Sequence, residues 1–207
     1  MKLLESIVTR NAIINRDYTL IKNHGRFLLP TQGCLGMDGA ALVRVYYRRF
    51  CRLRPFMSKR AMVRATYTDY IRYKFKTEEY ALKRSLVLEG NDVPMVGDWE
   101  DSTKKTFQFV LKSVSYIPET STNKYDVARD NTACRQIMKN LLGVEYEKDN
   151  MIQRSGNRAD IYKDLRIEFN HLKDLENLND KKSITQKGLG NFDRCLVLLN
   201  ESLGTRL

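Results

Sequence analysis

Apolar residues recur at steps of three and four along most of the chain beyond residue 40, and this spacing predicts helices. The first helix begins near Leu42, Ser58 can cap the second, and Pro55 marks a kink or junction between them. The apolar stripe of the first helix comprises Val43, Tyr46, Phe50, Leu53 and Met57. The stripe of the second helix comprises Val63, Tyr67, Tyr70, Ile71 and Phe75.

A third helical segment, residues 79–89, completes a three-helix unit. Leu82 and Leu86 lie one turn apart in it, so we expect Lys83 and Arg84 to face outside. Residues 90–97 contain two glycines and a proline and predict a break.

Four further apolar stripes predict helices in the second half of the chain. Their members are Phe107, Val110, Leu111 and Val114; Ile137, Met138, Leu141 and Leu142; Ile161, Leu165, Phe169, Leu172 and Leu175; and Phe192, Cys195, Leu196, Leu199 and Leu203. Polar loops are expected at residues 119–126 and 177–190, and a glycine-containing loop at residues 31–39.

No segment shows period-two alternation, so the predicted fold class is all-α: a helical bundle with a basic N-terminal three-helix unit and a C-terminal helical extension. We expect an irregular N-terminal segment over residues 1–40 and a helical domain over residues 41–207. Within that domain the basic unit covers residues 41–89 and the C-terminal helices residues 99–203.

Positive charge is concentrated in the predicted three-helix unit. Residues 41–86 carry 13 Lys or Arg against three acidic residues, which is +10 of a total net charge of +11. One concentrated field of this kind predicts an anionic partner: nucleic acid, an anionic membrane surface or an acidic protein. The predicted contact surface consists of Arg44, Arg48, Arg52, Arg64, Arg72 and Lys76, with Tyr47 and Phe75 orienting the helices around it.

No catalytic, metal or cofactor site is predicted. The four cysteines are far apart without a Cys-x-x-Cys pair, and only two histidines are present. We expect His171 at the surface or its boundary, and Glu145, Glu147 and Asp149 as solvated charges. Without a tunable acid–base pair the chain is not expected to be an enzyme. No apolar run reaches the length of a transmembrane segment.

Part of the basic unit resembles the LYR-motif proteins, which are small, basic, three-helix mitochondrial proteins. Tyr47 and Arg48 match the Tyr and Arg of that motif, Phe75 matches its downstream Phe, and Lys76 follows as the basic residue. Tyr46 replaces the leucine of the motif. The resemblance implies a tunnel that accepts the acyl chain of mitochondrial acyl carrier protein, with basic side chains on its acidic surface.

A second resemblance extends from near the N-terminus to residue 203. It rests on residues 17–22, 80–86, 134–142 and 199–203, which read DYTLIK, YALKRSL, CRQIMKNLL and LNESL. These segments resemble the fungal Irc19 family, whose name records increased recombination centres. The resemblance implies a role in mitochondrial DNA maintenance, respiratory competence, sporulation and genome integrity, and it provides no active site to carry over.

The expected function is therefore that of a non-enzymatic binding or adaptor protein located in mitochondria, with a cytoplasmic or nuclear location left open. Candidate partners are acyl carrier protein, another acidic protein, or nucleic acid. The alternative function is direct DNA or RNA binding by the same basic face, in which arginines neutralise phosphates.

Overall fold

The computed structural model describes residues 7–10, 12–14, 19–21, 38–88, 98–115, 124–173 and 184–207. Most of these residues are helical, which confirms the all-α prediction. The predicted break at residues 90–97 lies outside the described residues, as do most of the predicted loops at 31–39 and 119–126.

The N-terminal segment, predicted to be extended or irregular, contains three short strands. These are β1 (Ile7–Val8), β2 (Ala12–Ile14) and β3 (Thr19–Ile21), which form an antiparallel sheet in the order β1-β2-β3. The turn between β1 and β2 is closed by the Ala12 N–H, which donates to Thr9 Oγ1 at 3.0 Å. Ile21 is fully buried, and its N–H donates to Ser115 Oγ at 3.2 Å.

Seven α-helices and one 3-10 turn account for most of the other described residues. They are α1 (Gly39–Met57), α2 (Ala61–Lys76), α3 (Tyr80–Val87), α4 (Trp99–Val114), α5 (Lys124–Arg154), α6 (Arg158–Arg166), the 3-10 turn (Asn170–Leu172) and α7 (Ile184–Leu203). Helix α1 continues through Pro55 for two more residues, because a proline near a helix end removes only one late hydrogen bond. Ser58 Oγ then accepts the N–H of Arg60, directly before α2 begins.

The chain divides into two compact units. The first comprises Met1–Ile71 and Phe107–Leu142, and the second comprises Arg72–Thr106 and Gly143–Leu207. In the first unit, Phe50 packs edge-on against Phe107 with ring centroids 5.2 Å apart. The Tyr67 hydroxyl donates to the Phe50 carbonyl oxygen at 2.9 Å, so this fully buried phenol keeps a hydrogen-bond partner.

The second unit has two apolar clusters. One contains Val87, Phe169, Leu172 and Val197, and the other contains Ile152, Leu165 and Leu189. The chain between α6 and the 3-10 turn passes through Phe169, whose φ of 52° lies in the left-handed region. This bend ends the helix that the sequence pattern extended to Leu175, because a bulky residue at positive φ cannot continue an α-helix.

Two predicted helix faces are wrong. In α3 the side chains of Lys83 and Arg84 are buried and Leu82 is 39% exposed, which reverses the expected orientation. In α7, Cys195 and Leu203 are exposed, whereas the buried positions include Asp193 and Asn200. Both errors have one physical cause: these buried polar groups have partners, and pairing allows them to occupy core positions.

Candidate anion-binding face and buried ion-pair network

Helix α1 presents a row of three exposed arginines. Arg44, Arg48 and Arg52 are spaced four residues apart, opposite the buried stripe of Tyr46, Phe50 and Leu53. Successive members rise by about 6 Å along the helix axis. The sequence of α1 contains five arginines and no acidic residue, so no carboxylate of this helix offsets its charge. We call Arg44, Arg48 and Arg52 the arginine row.

The remaining predicted contact residues are not members of the arginine row. Arg64 is half-buried on α2, whereas Arg72 and Lys76 are exposed one turn apart in the part of α2 that belongs to the second unit. Tyr47 and Phe75 are half-buried. Of the predicted set, the structure therefore aligns Arg44, Arg48 and Arg52 along one helix face.

Some basic residues of the positively charged segment 41–86 already have partners within the protein and are unavailable to another molecule. Arg84 forms a two-pronged ion pair with Glu201, in which Nε and Nη2 each donate to a carboxylate oxygen at 2.8 Å. That hydrogen bonding raises the pKa of Arg84. Burial lowers the pKa of Lys74 to about 8, although Glu78 acts in the opposite direction. The exposed charge is thus concentrated more strongly on α1 than the sequence total suggests.

A buried ion-pair network occupies the second unit, and Asp193 of α7 is its centre. Lys148 Nζ donates to both Asp193 carboxylate oxygens, at 3.0 and 2.8 Å. Lys83 Nζ lies 3.3 Å from Oδ1 of the same carboxylate, and His171 Nε2 lies 2.7 Å from Oδ2. All four residues are at most 5% exposed. Burial acts to raise the pKa of Asp193, but the two lysines hold it well below its usual value.

Glu145 extends this network toward Arg166. Its carboxylate accepts a hydrogen bond from Lys148 Nζ at 2.9 Å and a second one from Arg166 Nη1. Arg166 Nη2 also donates to Asp149 at 2.9 Å. Burial acts to raise the pKa of Glu145, but the adjacent Lys148 and Arg166 lower it to about 2. Glu145 therefore stays ionised at neutral pH.

Formal charge within the network is balanced when His171 is neutral. The three cations are Lys83, Lys148 and Arg166. The three carboxylates belong to Glu145, Asp149 and Asp193. Arg166 is additionally covered by Tyr73, whose ring centroid lies 4.6 Å from the guanidinium carbon and whose hydroxyl donates to the Arg166 carbonyl oxygen at 3.1 Å. Paired charges of this kind are the form in which ions are tolerated inside proteins.

His171 is the titratable member of the network. Burial lowers its pKa, which favours the neutral ring, and the hydrogen bond to Asp193 opposes that shift. Because an ionised carboxylate only accepts hydrogen bonds, Nε2 carries the proton. Nδ1 is then a buried acceptor without a hydrogen-bond partner in the part of the chain that the structure describes.

The sequence interpretation missed this network. It placed His171 at the surface and Glu145 in solvent, whereas these residues are 3% and 5% exposed. Asp149 was also expected in solvent, and its side chain is 40% exposed although it pairs with Arg166. The available signal was spacing, because Glu145 and Lys148 fall on the stripe that runs from Leu141 to Ile152. A charge at a core position of an apolar stripe indicates a buried partner.

The described residues contain neither a metal-ligand cluster nor a membrane-spanning helix. No three His, Cys, Asp or Glu side chains among them are grouped so that they could hold a metal ion. None of the helices between residues 39 and 203 that the structure describes combines the length and apolar character needed to cross a bilayer.

The fold and these sites define a basic, mainly helical protein with an exposed arginine row and a buried charge network. Comparison with known proteins identifies its family. The profile described as "Increased recombination centres protein 19", Irc19, matches residues 7–207. The chain belongs to the Irc19 family.

Relatives with that name match along nearly the whole length of both chains. The protein from Vanderwaltozyma polyspora is 48% identical over 202 residues, which cover 97% of this chain and 96% of the relative. The Saccharomyces cerevisiae protein is 43% identical, with 98% and 97% covered, and the Zygosaccharomyces rouxii protein is 44% identical, with 98% of each covered. No solved structure matches the chain significantly.

Proposed function

We propose that this chain is a non-enzymatic binding protein that supports genome maintenance through the arginine row of α1. The observation that carries the proposal is the exposure of Arg44, Arg48 and Arg52 on successive turns of a helix without acidic residues. A protein surface with this charge attracts anionic partners. The family name, which records increased recombination centres, supports a role in genome integrity.

The specific form of the proposal is support of mitochondrial DNA maintenance and respiratory competence, together with sporulation. It follows from the family resemblance of residues 17–22, 80–86, 134–142 and 199–203. A mitochondrial location is part of the same proposal. In this role the chain acts by bringing an anionic partner to its site of action, and it catalyses no reaction.

An acidic protein such as acyl carrier protein is one candidate partner. The matching positions Tyr47, Arg48 and Phe75 support it, and Arg48 is exposed. An inserted acyl chain has weaker support, because Tyr46 and Tyr67 of the apolar stripes are fully buried in a packed core. The adaptor form that we propose is therefore a charge contact on the surface of α1.

A complementation experiment tests the proposal. Cells that lack the endogenous protein receive the wild-type chain or the variant Arg44→Gln/Arg48→Gln/Arg52→Gln. The matched control is Lys139→Gln/Arg154→Gln/Arg158→Gln, which removes the same charge from exposed positions outside α1. Mitochondrial DNA content, respiratory growth and recombination foci are measured at equal protein levels.

We expect the control variant to restore all three readouts and the α1 variant to restore none. Full complementation by the α1 variant contradicts the proposal, because the arginine row is then dispensable in the cell. Equal failure of both variants also contradicts it, since total charge rather than this face is then responsible.

A further inference from the structure

We infer that the arginine row of α1 binds the sugar–phosphate backbone of duplex nucleic acid without reading base sequence. This inference rests on the proposed function, because it specifies the anionic partner of the same face. It depends on three properties of α1: the spacing of its arginines, its lack of exposed apolar anchors, and its lack of exposed aromatic rings and of base-reading side chains other than arginine.

The spacing of the arginine row suits a regularly repeating anion. Arg44, Arg48 and Arg52 follow one another at about 6 Å along the helix axis. Successive phosphates on one DNA strand are offset by about 3.4 Å of axial rise and by about a tenth of a turn around the duplex, so neighbouring phosphates lie roughly 6.5 Å apart in space. Flexible arginine side chains absorb this small difference. Each planar guanidinium can also form paired hydrogen bonds to a phosphate.

The first two arginines of the row are available for such contacts. Arg44 and Arg48 are exposed and make no ion pair with any residue that the structure describes. A phosphate therefore gains these guanidinium groups without displacing a carboxylate.

The rest of the α1 surface favours nucleic acid over an acidic protein. Protein interfaces take most of their binding energy from a few central hot-spot residues, chiefly Trp, Tyr and Arg, and the aromatic ones fill pockets of the partner. The described large apolar side chains that are exposed lie elsewhere, for example Met62, Leu82 and Ile184, and α1 contributes none. Protein–DNA interfaces are more polar and more positively charged than protein–protein interfaces, which agrees with this surface.

The composition of α1 argues for backbone contact with a duplex. The helix contains no Asn, Gln, Ser, Thr, Lys, Asp or Glu, so arginine is its only side chain that commonly hydrogen-bonds to base edges. Single-strand binding relies on exposed aromatic rings on which bases stack. Tyr46 and Phe50 of α1 are buried and Tyr47 and Phe56 are half-buried, so no aromatic side chain of this helix is exposed and phosphate neutralisation is the main interaction available.

Fluorescence anisotropy with the full chain tests the inference. The probes are two labelled DNA duplexes of unrelated sequence, an RNA duplex and a single DNA strand, each ~20 nucleotides long, titrated between about 50 and 200 mM salt. Polyglutamate serves as the acidic polypeptide. The proteins are the wild type, Arg44→Gln/Arg48→Gln/Arg52→Gln, Arg44→Gln/Arg48→Gln, and the control Lys139→Gln/Arg154→Gln/Arg158→Gln. Circular dichroism melting verifies that each variant is folded.

We expect the wild type to bind the two DNA duplexes with equal affinity and to bind the single strand and polyglutamate more weakly. The slope of log K against log salt should decrease in magnitude by about 0.9 for each phosphate-contacting arginine removed, which is about 2.7 for the triple variant and about 1.8 for the double. The control variant should keep the wild-type slope. Comparable affinity for the RNA duplex supports backbone recognition, and binding of DNA alone would overturn it.

Absence of duplex binding at low salt overturns the inference, as does tighter binding of polyglutamate or an equal change of slope in the control. The binding experiment and the complementation experiment can fail independently of each other. If duplex binding is absent while the α1 variant still fails in cells, the proposed function stands with an acidic protein as partner. If duplex binding depends on the row while the α1 variant complements fully, the contact exists and the proposed function is wrong.

Discussion

Lys148 and Asp193 form a buried ion pair in which the ammonium group donates to both carboxylate oxygens, at 3.0 and 2.8 Å. The two residues are 2% and 1% exposed and are 45 positions apart in sequence. Their pairing joins α5 to α7 within the second unit. An unpaired charge at either position would be very unfavourable, so this relationship constrains how the unit can fold.

Removal of Lys148 should strongly destabilise the second unit. Lys148→Met leaves Asp193 and Glu145 short of a cation in a buried site, and we expect the free energy of unfolding to fall by about 3–5 kcal/mol. The control is Lys104→Met, which breaks the exposed i,i+4 pair with Glu100 and should cost less than about 1 kcal/mol. Urea denaturation measures the free energy of unfolding of both variants. Equal decreases would contradict the claim that the buried ion pair matters more than the exposed one.

Protonation of His171 should make stability depend on pH. The folded ring has a lowered pKa, whereas the unfolded ring binds a proton near pH 6.5, so the unfolded state binds more protons as the pH falls through that value. The free energy of unfolding should therefore decrease below about pH 6.5. The added proton also places a third cation beside Asp193, next to Lys148 and Lys83.

The variant His171→Gln isolates this effect, because glutamine can donate to Asp193 without titrating. Denaturation at pH 7.5, 6.5 and 5.5 should show a smaller pH dependence for the variant than for the wild type. Both proteins should lose stability again as the pH falls from about 4.5 toward 2, because Glu145 is protonated near pH 4.5 when unfolded but only near pH 2 when folded. An unchanged slope between pH 7.5 and 5.5 would show that His171 is not the titrating group.

Asn200 holds the segment that follows α7. Its Oδ1 accepts hydrogen bonds from the Leu207 N–H at 2.8 Å and the Thr205 hydroxyl at 2.9 Å, and its Nδ2 donates to the Leu207 carbonyl oxygen at 2.9 Å. We expect Asn200→Ala to cost about 1–3 kcal/mol, because it leaves buried polar groups unsatisfied. Hydrogen exchange should accelerate at residues 205–207. Asn191→Ala, at an exposed position of the same helix, should change neither quantity.

Phe169 combines an unusual backbone conformation with a core side chain. It is 1% exposed and packs in the cluster with Leu172 and Val197. Its removal in Phe169→Ala should lower the free energy of unfolding by about 3–5 kcal/mol, since the cavity exceeds any relief of backbone strain. Ile167→Ala, two residues away at a 38% exposed position, should stay within about 0.5 kcal/mol of the wild type. Similar values for the two variants would contradict this account.

Helices α1 and α2 could be predicted because their stripes are apolar at nearly every buried position. Tyr46, Phe50 and Leu53 are buried as their spacing indicates, and the arginine row faces the opposite side. The same helical spacing places Arg44, Arg48 and Arg52 on the solvent side, so the candidate anion-binding face could be predicted from the sequence.

The buried network could not be predicted in the same way, because its partners are distant in sequence. Lys148 meets Asp193 across 45 positions, so a charge on the α5 stripe indicates a buried partner but no local pattern identifies which residue that partner is. Pattern reasoning placed Lys83 and Arg84 outside. The strands of two or three residues are too short to show alternation, and the bend at Phe169 depends on packing rather than on a glycine or proline.

The central claim is that the arginine row binds an anionic partner, and affinity purification from whole cells tests it most directly. The wild type, Arg44→Gln/Arg48→Gln/Arg52→Gln and the control Lys139→Gln/Arg154→Gln/Arg158→Gln are purified side by side, and proteins and nucleic acid are identified in each sample. The account predicts nuclease-sensitive duplex nucleic acid with the wild type and the control, and its loss from the α1 variant. Equal recovery of nucleic acid from all three proteins would contradict the claim, because binding would then not depend on Arg44, Arg48 and Arg52.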